Sequence, residues 1–191
     1  MDLSEYPDDR DTFTILGVDP GSETVGYAII EVGIKSLDIV NATAFTVTGS
    51  KLPQLCYTDT ELYHDRYARI QAHRDAFKRI LETFDPLAIV CESPFFNPRR
   101  PSAFGVLMEV VAAIQETVRL WDNWKSVKFV DPPTAKKSFG AAGNAGKPDM
   151  AIAYQKLSHL HFPGTMNLDE HSIDALAIAY NQYCIYKSTR L

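Results

Sequence analysis

The chain has 191 residues, 46% of them hydrophobic and 23% charged, the makeup of one ordinary globular domain with room for a core. No apolar run approaches the roughly 20 residues a membrane-spanning helix needs, and the acidic start MDLSEYPDDRD is the opposite of a secretory signal. The net charge of −5 argues at first against nucleic acid, but residues 1–11 hold five acids and one base, so the remainder lies near −1 and can carry a local basic face.

Residues 1–12 read as a loose acidic tail, which leaves 13–191 as a single domain. Phe13 to Val18 is a predicted strand, and Gly26 to Val32 and Ile39 to Thr48 follow as two more, an antiparallel meander. Residues 49–59 read as loop. Tyr63, Tyr67, Ile70, Phe77, Ile80, Leu81 and Phe84 recur at helical steps until Asp85-Pro86 stops the helix. LAIVCES is a short buried strand ending in Glu92, and PFFNPRRPS is a proline-rich loop. A second helix runs from Ser102 or Ala103 to about Leu120. VKFVDPP supplies the fifth strand, and TAKKSFGAAGNAGKPD a short helix with a glycine-rich loop. A helix from Lys147-Pro148 to about Leu160, a loop, and a last helix from His171 to Tyr186 complete the chain. The alternation predicts an α/β fold: a five-stranded mixed sheet, its first three strands antiparallel, with helices on both faces. Cys56, Cys91 and Cys184 form no CxxC pair and read as free thiols of a reducing, cytoplasmic compartment, with no membrane partner.

Three acids fall at the ends of these elements. Asp19 closes the first strand before a sharp Pro20-Gly21 turn, Glu92 closes the fourth, and Asp174 lies on the last helix with His171 one turn before it. The first and fourth strands can lie side by side, which brings Asp19 towards Glu92. Three carboxylates gathered in a cleft need neutralising, and a divalent metal does that; oxygen donors favour Mg²⁺ or Mn²⁺, and imidazole tolerates Mn²⁺. Two such ions about 4 Å apart activate water and stabilise the leaving oxygen of a phosphodiester. Each residue also has a plainer role open to it: Asp19 as turn former, Glu92 as a solvated strand end, His171 as a cap. Asp174 is harder to dismiss, because Ile173, Ala175, Leu176, Ala177 and Ile178 surround it with apolar helix, where an unpaired acid is costly.

In order, GVDPGSETVGYAII, IVCESPFF and EHSIDALAIAY resemble the RuvC family of Holliday-junction resolvases, of the RNase H-like superfamily, over roughly residues 13–186. The resemblance implies a homodimer that nicks two strands of a four-way DNA junction symmetrically with Mg²⁺ or Mn²⁺ and without a nucleotide cofactor. Asp19, Glu92 and Asp174 would be catalytic metal ligands. His171 falls where the family carries Asp or His, as ligand or as acceptor of a proton from the attacking water; Asp169 and Glu170 are alternative fourth acids. Phe95 stands where the family has an aromatic wedge, with Phe96 beside it, and stacking on an unpaired base is worth about 1–3 kcal/mol. Arg99 and Arg100 in the same loop suit phosphates, and Lys136, Lys137 and Lys147 lie near the family's DNA-contacting lysines. Burial of the phenylalanines and simple solvation of the lysines are the plainer readings.

The second helix mixes Leu107, Met108 and Val111 with Gly105, Ala112 and Ala113, apolar nearly all round, and in the family this helix helps form the dimer. The acidic tail and the long segment Gly49 to Glu61 depart from the minimal fold. Other readings stay open: the same site acting on RNA, RNA–DNA hybrid or flapped DNA, or a protein that grips junctions without cutting. DPG also resembles the phosphate loop of actin-like ATPases, but those need two such domains.

Overall fold

Side-chain alternation along the first strand sets the architecture. In the computed structural model, which describes residues 11–51, 57–95, 98 and 101–189, strand β1 (Thr12–Asp19) sends Leu16 and Val18 to one face and Phe13 and Ile15 to the other. Residues 1–10 of the predicted tail, with Cys56, Phe96, Arg99 and Arg100, lie outside the described residues. Strand β2 (Thr24–Gly33) pairs antiparallel with β1, setting Asp19 opposite Gly26, and β3 (Ile39–Thr48) pairs antiparallel with β2. Strand β4 (Ala88–Glu92) runs parallel to β1 with Val18 against Cys91, and β5 (Val127–Val130) runs parallel to β4 with Glu92 against Val130. The order β3-β2-β1-β4-β5 is the arrangement expected of an RNase H-like domain.

The helices are α1 (Tyr57–Phe84), α2 (Pro101–Trp121), α3 (Pro132–Ser138), α4 (Lys147–Lys156) and α5 (Glu170–Thr189). Helices α1 and α2 cover one face, where Leu16, Val18, Tyr27, Ile89 and Cys91 pack with Phe77, Leu81, Val110, Ile114 and Val118. The other face belongs to α5, joined by α3 and α4: Phe13, Ile15, Ala28 and Ile30 share a core with Ala175, Leu176, Phe139, Met150 and Leu160. Cys91 is buried and Cys184 half-buried, and both are free thiols. Among the described residues no helix is long and apolar enough to cross a membrane.

Two elements differ from the periodicity. The helix read from Tyr63 begins at Tyr57 and breaks at His64, where φ is +73°. YTDTEL has no apolar stripe to announce a helix, so the segment reads as loop. The helix read to Leu160 stops at Lys156. Leu157 leaves helical geometry, and a 3₁₀ turn at Ser158–Leu160 drops Leu160 fully into the core.

Helix α5 lies directly on the sheet backbone. A Cβ on Gly17 would stand 2.3 Å from the carbonyl oxygen of Ala175 and 2.7 Å from the nitrogen of Ala179; a Cβ on Gly26 would stand 2.2 Å from the carbonyl oxygen of His171. The ridge 171, 175, 179, one i, i+4 row, therefore rests on β1 and β2 where two glycines leave room. The neighbouring row leans towards β4, with Ile178 packed against Val90, Val130 and Ala135. Asp174, one turn before Ile178, is carried towards Glu92. Forcing a methyl group into this contact is expected to cost about 1–3 kcal/mol. Gly17→Ala should therefore lower the calorimetric melting temperature by several degrees, and an unchanged midpoint would refute the close seat of α5.

Candidate active site

Strand parity places the acids. Ala88 and Val90 face α5, so Glu92 does too; Asp19 shares the parity of Phe13, Ile15 and Gly17 and faces the same way. One step beyond the pair Val18–Cys91, Asp19 and Glu92 stand on neighbouring strands at the same level. From above, α5 adds His171 and Asp174. His171 Nδ1 lies 2.8 Å from Asp19 Oδ2, the side chains being 39% and 13% exposed, and the hydrogen bond to Asp19 holds the imidazole pKa above its usual value against the effect of burial. Since the carboxylate accepts, Nδ1 carries the proton and donates.

The electrostatics are those of an overcharged cleft. Burial, with Asp19 and Asp174 close by, pushes the Glu92 carboxyl up to about 8. Burial, with Asp19 next in importance, pushes Asp174 up to about 6. The ammonium of Lys136, on α3, pulls both the other way. Among the described residues no three His, Cys, Asp or Glu side chains stand as an assembled metal cluster; Asp19 shares its hydrogen bond with His171 instead.

The alternative acids are otherwise engaged. Asp169 caps α5: its Oδ1 accepts from Ser172 N at 2.9 Å and Ser172 Oγ at 2.7 Å, and its Oδ2 accepts from Thr46 Oγ1 at 2.7 Å. Burial alone would raise its pKa, but these hydrogen bonds outweigh it and hold the carboxyl low. Glu170 pairs with Lys147 and lies 3.6 Å from His171 Nε2.

Of the DNA-facing candidates, Phe95 is 70% exposed in the loop after β4. Lys137 and Lys147 are exposed in the last turn of α3 and at the start of α4, whereas Lys136, beside Lys137 on α3, is half-buried and donates to the carbonyl of Ala145 at 2.8 Å. Sequence reasoning missed the anchor of the Pro20-Gly21 turn. The carbonyl of Glu23 accepts from Gly49 N at 2.7 Å and from His73 Nε2 at 3.2 Å, and its carboxylate meets Arg69 Nε at 3.2 Å and Ser50. A buried histidine and an arginine one turn apart on α1 thus fix the turn that carries Asp19; His73 and Arg69 at i, i+4 were the available signal.

Comparison with known proteins gives the same outline. Residues 15–182 match the family model of crossover junction endodeoxyribonuclease RuvC. The RuvC crossover junction endodeoxyribonuclease of Chloroherpeton thalassium is 30% identical over 167 residues, covering 86% of this chain and 78% of that one. The structure of T. thermophilus RuvC in complex with Holliday junction substrate superposes with a TM-score of 0.64 at 18% identity, covering 93% of this chain and 97% of that one. The Fowlpox virus resolvase, crystallised with substrate Holliday junction DNA, does so at 0.55 and 16% identity, covering 94% and 99%. With two carboxylates on adjacent strand ends, a third on the helix above them and a family match across nearly the whole domain, this chain belongs to the RuvC family of crossover junction endodeoxyribonucleases.

Proposed function

We propose that this chain is a Holliday-junction resolvase, a metal-dependent endonuclease making symmetric nicks in four-way DNA junctions. The observation that carries this reading is the convergence of Asp19, Glu92 and Asp174 with His171 on the α5 face of the sheet, in a RuvC-family chain. Two carboxyls whose protons are held by burial and mutual repulsion form an oxygen donor set suited to a hard cation. Asp19, Glu92, Asp174 and His171 would hold Mg²⁺ or Mn²⁺, two ions per site. When bound, these ions supply an activated water and stabilise the leaving oxygen.

The residues have distinct tasks. Asp19 and Glu92 hold the floor of the site from two strands, and Asp174 closes it from α5. Glu92, and Asp174 below about pH 6, would release a proton in holding a cation. With its Nδ1–H donating to Asp19, His171 would keep Nε2 to take a proton from the attacking water or to meet the cation. Phe95 supplies an exposed ring for an unpaired base at the junction centre, with Phe96, Arg99 and Arg100 close behind it in the sequence. Lys137 and Lys147 meet backbone phosphate, and Lys136 tempers the charge of the acids.

Helix α2 supports a homodimer. It buries Val110, Val111, Ile114 and Val118 against the sheet and leaves Gly105, Met108 and Ala112 exposed along an i, i+3, i+7 stripe. A C₂ pairing of two such stripes would set two sites against two strands of like polarity.

Cleavage of a labelled synthetic four-way junction, beside linear duplex and with or without Mg²⁺, tests the function: paired nicks are expected only on the junction and only with metal. Asp19→Asn and Asp174→Asn should slow cutting by on the order of 100-fold or more while junction binding persists, the scale on which a positioned catalytic group is missed. Wild-type rates in both would refute the site. Because Glu92 holds its proton up to about pH 8, cation and proton compete. Calorimetric titration should show Mn²⁺ affinity rising from pH 6 to 8, by at most about tenfold per unit for each proton released, then levelling off. Glu92→Gln should flatten that slope, and a pH-independent affinity would contradict the assignment. Met108→Glu should convert a dimer to a monomer in light scattering.

A further inference from the structure

Among the described residues, strand β5 is an open edge of the sheet. Ser93 N donates to the carbonyl of Val130 at 2.8 Å, so the main chain of Val130, and by alternation that of Lys128, faces β4. The N–H and C=O of Phe129 therefore point away from the sheet, a row into which another strand can pair. The Phe129 side chain lies 42% exposed on one face of this edge. On the other face a depression of about 510 Å³ opens between β5 and α5, lined among others by Lys128, Val130, Asn181, Gln182 and Ile185.

That depression holds an unmet donor. Gln182 is 4% exposed, and its Nε2 has no hydrogen-bond partner. Its Oε1 faces Lys128 Nζ at 3.5 Å, which fixes the amide: flipping it would set NH₂ against an ammonium. Burial lowers the Lys128 pKa, and among the described residues no carboxylate pairs with it. The nearby carboxylate of Asp131 is spent on capping α3, accepting from Thr134 N at 3.0 Å. Lys128 Nζ also lies 5.2 Å from the centre of the Tyr186 ring, so its neighbours are an amide oxygen and a π face but no opposite charge. A buried amide donor and this ammonium on one side call for an acceptor of negative charge, and an exposed aromatic on the other side calls for an apolar group.

We propose that β5 is a docking edge for an extended segment of a partner protein, one that alternates apolar and acidic residues. Its main chain pairs with Phe129, its apolar side chains cover the Phe129 ring, and a carboxylate accepts from Lys128 Nζ and Gln182 Nε2. Duplex DNA offers no alternating apolar face and no strand for this edge.

The probe is an end-blocked hexapeptide of alternating valine and glutamate, titrated into the full ¹⁵N-labelled chain, with a valine–lysine version alongside. The expected result is amide shifts confined to Val127–Val130 and Asn181–Ile185, for the glutamate peptide alone. Phe129→Pro removes the outward N–H without touching the β4 ladder, and Gln182→Leu removes the buried amide. Each should weaken binding about tenfold, the weight of one well-placed hydrogen bond, with junction cleavage unchanged. If Phe129→Pro unfolds, Gln182→Leu decides. No shifts, equal shifts with the lysine peptide, full affinity in the folded variants, or the same amides moving with junction DNA would each overturn the proposal.

Discussion

The contact of α5 with the bare backbone of Gly17 and Gly26 governs the rest of the molecule. A helix held off a sheet by side chains has freedom to slide and roll; one whose own carbonyls rest on two glycines has little. That seat sets the height of α5 over β1 and β2. The tilt of its second ridge, with Ile178 locked between Val90 and Val130, sets its rotation. The distance from His171 to Asp19 and the approach of Asp174 to Glu92 follow from these two facts. Nothing in the carboxylates themselves draws them together, since their charges repel.

The fold therefore works against its own electrostatics at this one place. Two carboxyls sit where burial and like charge make ionisation costly, with the Lys136 ammonium as a near counterweight and the His171 Nδ1–H donating to Asp19. Such local conflict is a mark of function, sustained by the surrounding packing. Two packed faces hold the framework: Phe77, Leu81 and the α2 valines below, Phe139, Met150 and Leu160 with α5 above. The turn after Asp19 is fastened separately, through Glu23, to α1 and to the end of β3.

Much of this was legible in the residues. The period-two strands and the apolar steps of α1, α2 and α5 gave the sheet and its layers, and Asp19, Glu92 and Asp174 stood out because acids at buried strand ends and on an apolar helix break the local rule. Strand parity even assigns the acids a common face. What was hidden depends on contacts distant in the chain. Gly17 reads as a gap in a strand until α5 is placed on it. Asp169 stays open in the sequence as an alternative to His171, and only the hydrogen bonds from Thr46 and Ser172 show that Asp169 is committed to the helix cap. The early start of α1 was invisible because its first turn carries no apolar stripe, and Gln182 was unremarkable without Lys128 to fix its amide.

The pair Lys147–Glu170 joins the start of α4 to the start of α5 across open solvent, its side chains 70% and 40% exposed. Such a bond is worth little in water, about 0–1 kcal/mol, and physiological salt thins it further. A phosphate arriving at Lys147 therefore displaces Glu170 at almost no cost. The displaced carboxylate stays where it was, beside the Nε2 of His171, now without its cation. If Lys147 meets substrate phosphate as proposed, substrate entry and the charge around the imidazole are linked by simple counter-ion exchange: the nucleic acid would borrow a cation from the protein, and the negative charge left behind would favour a proton on His171.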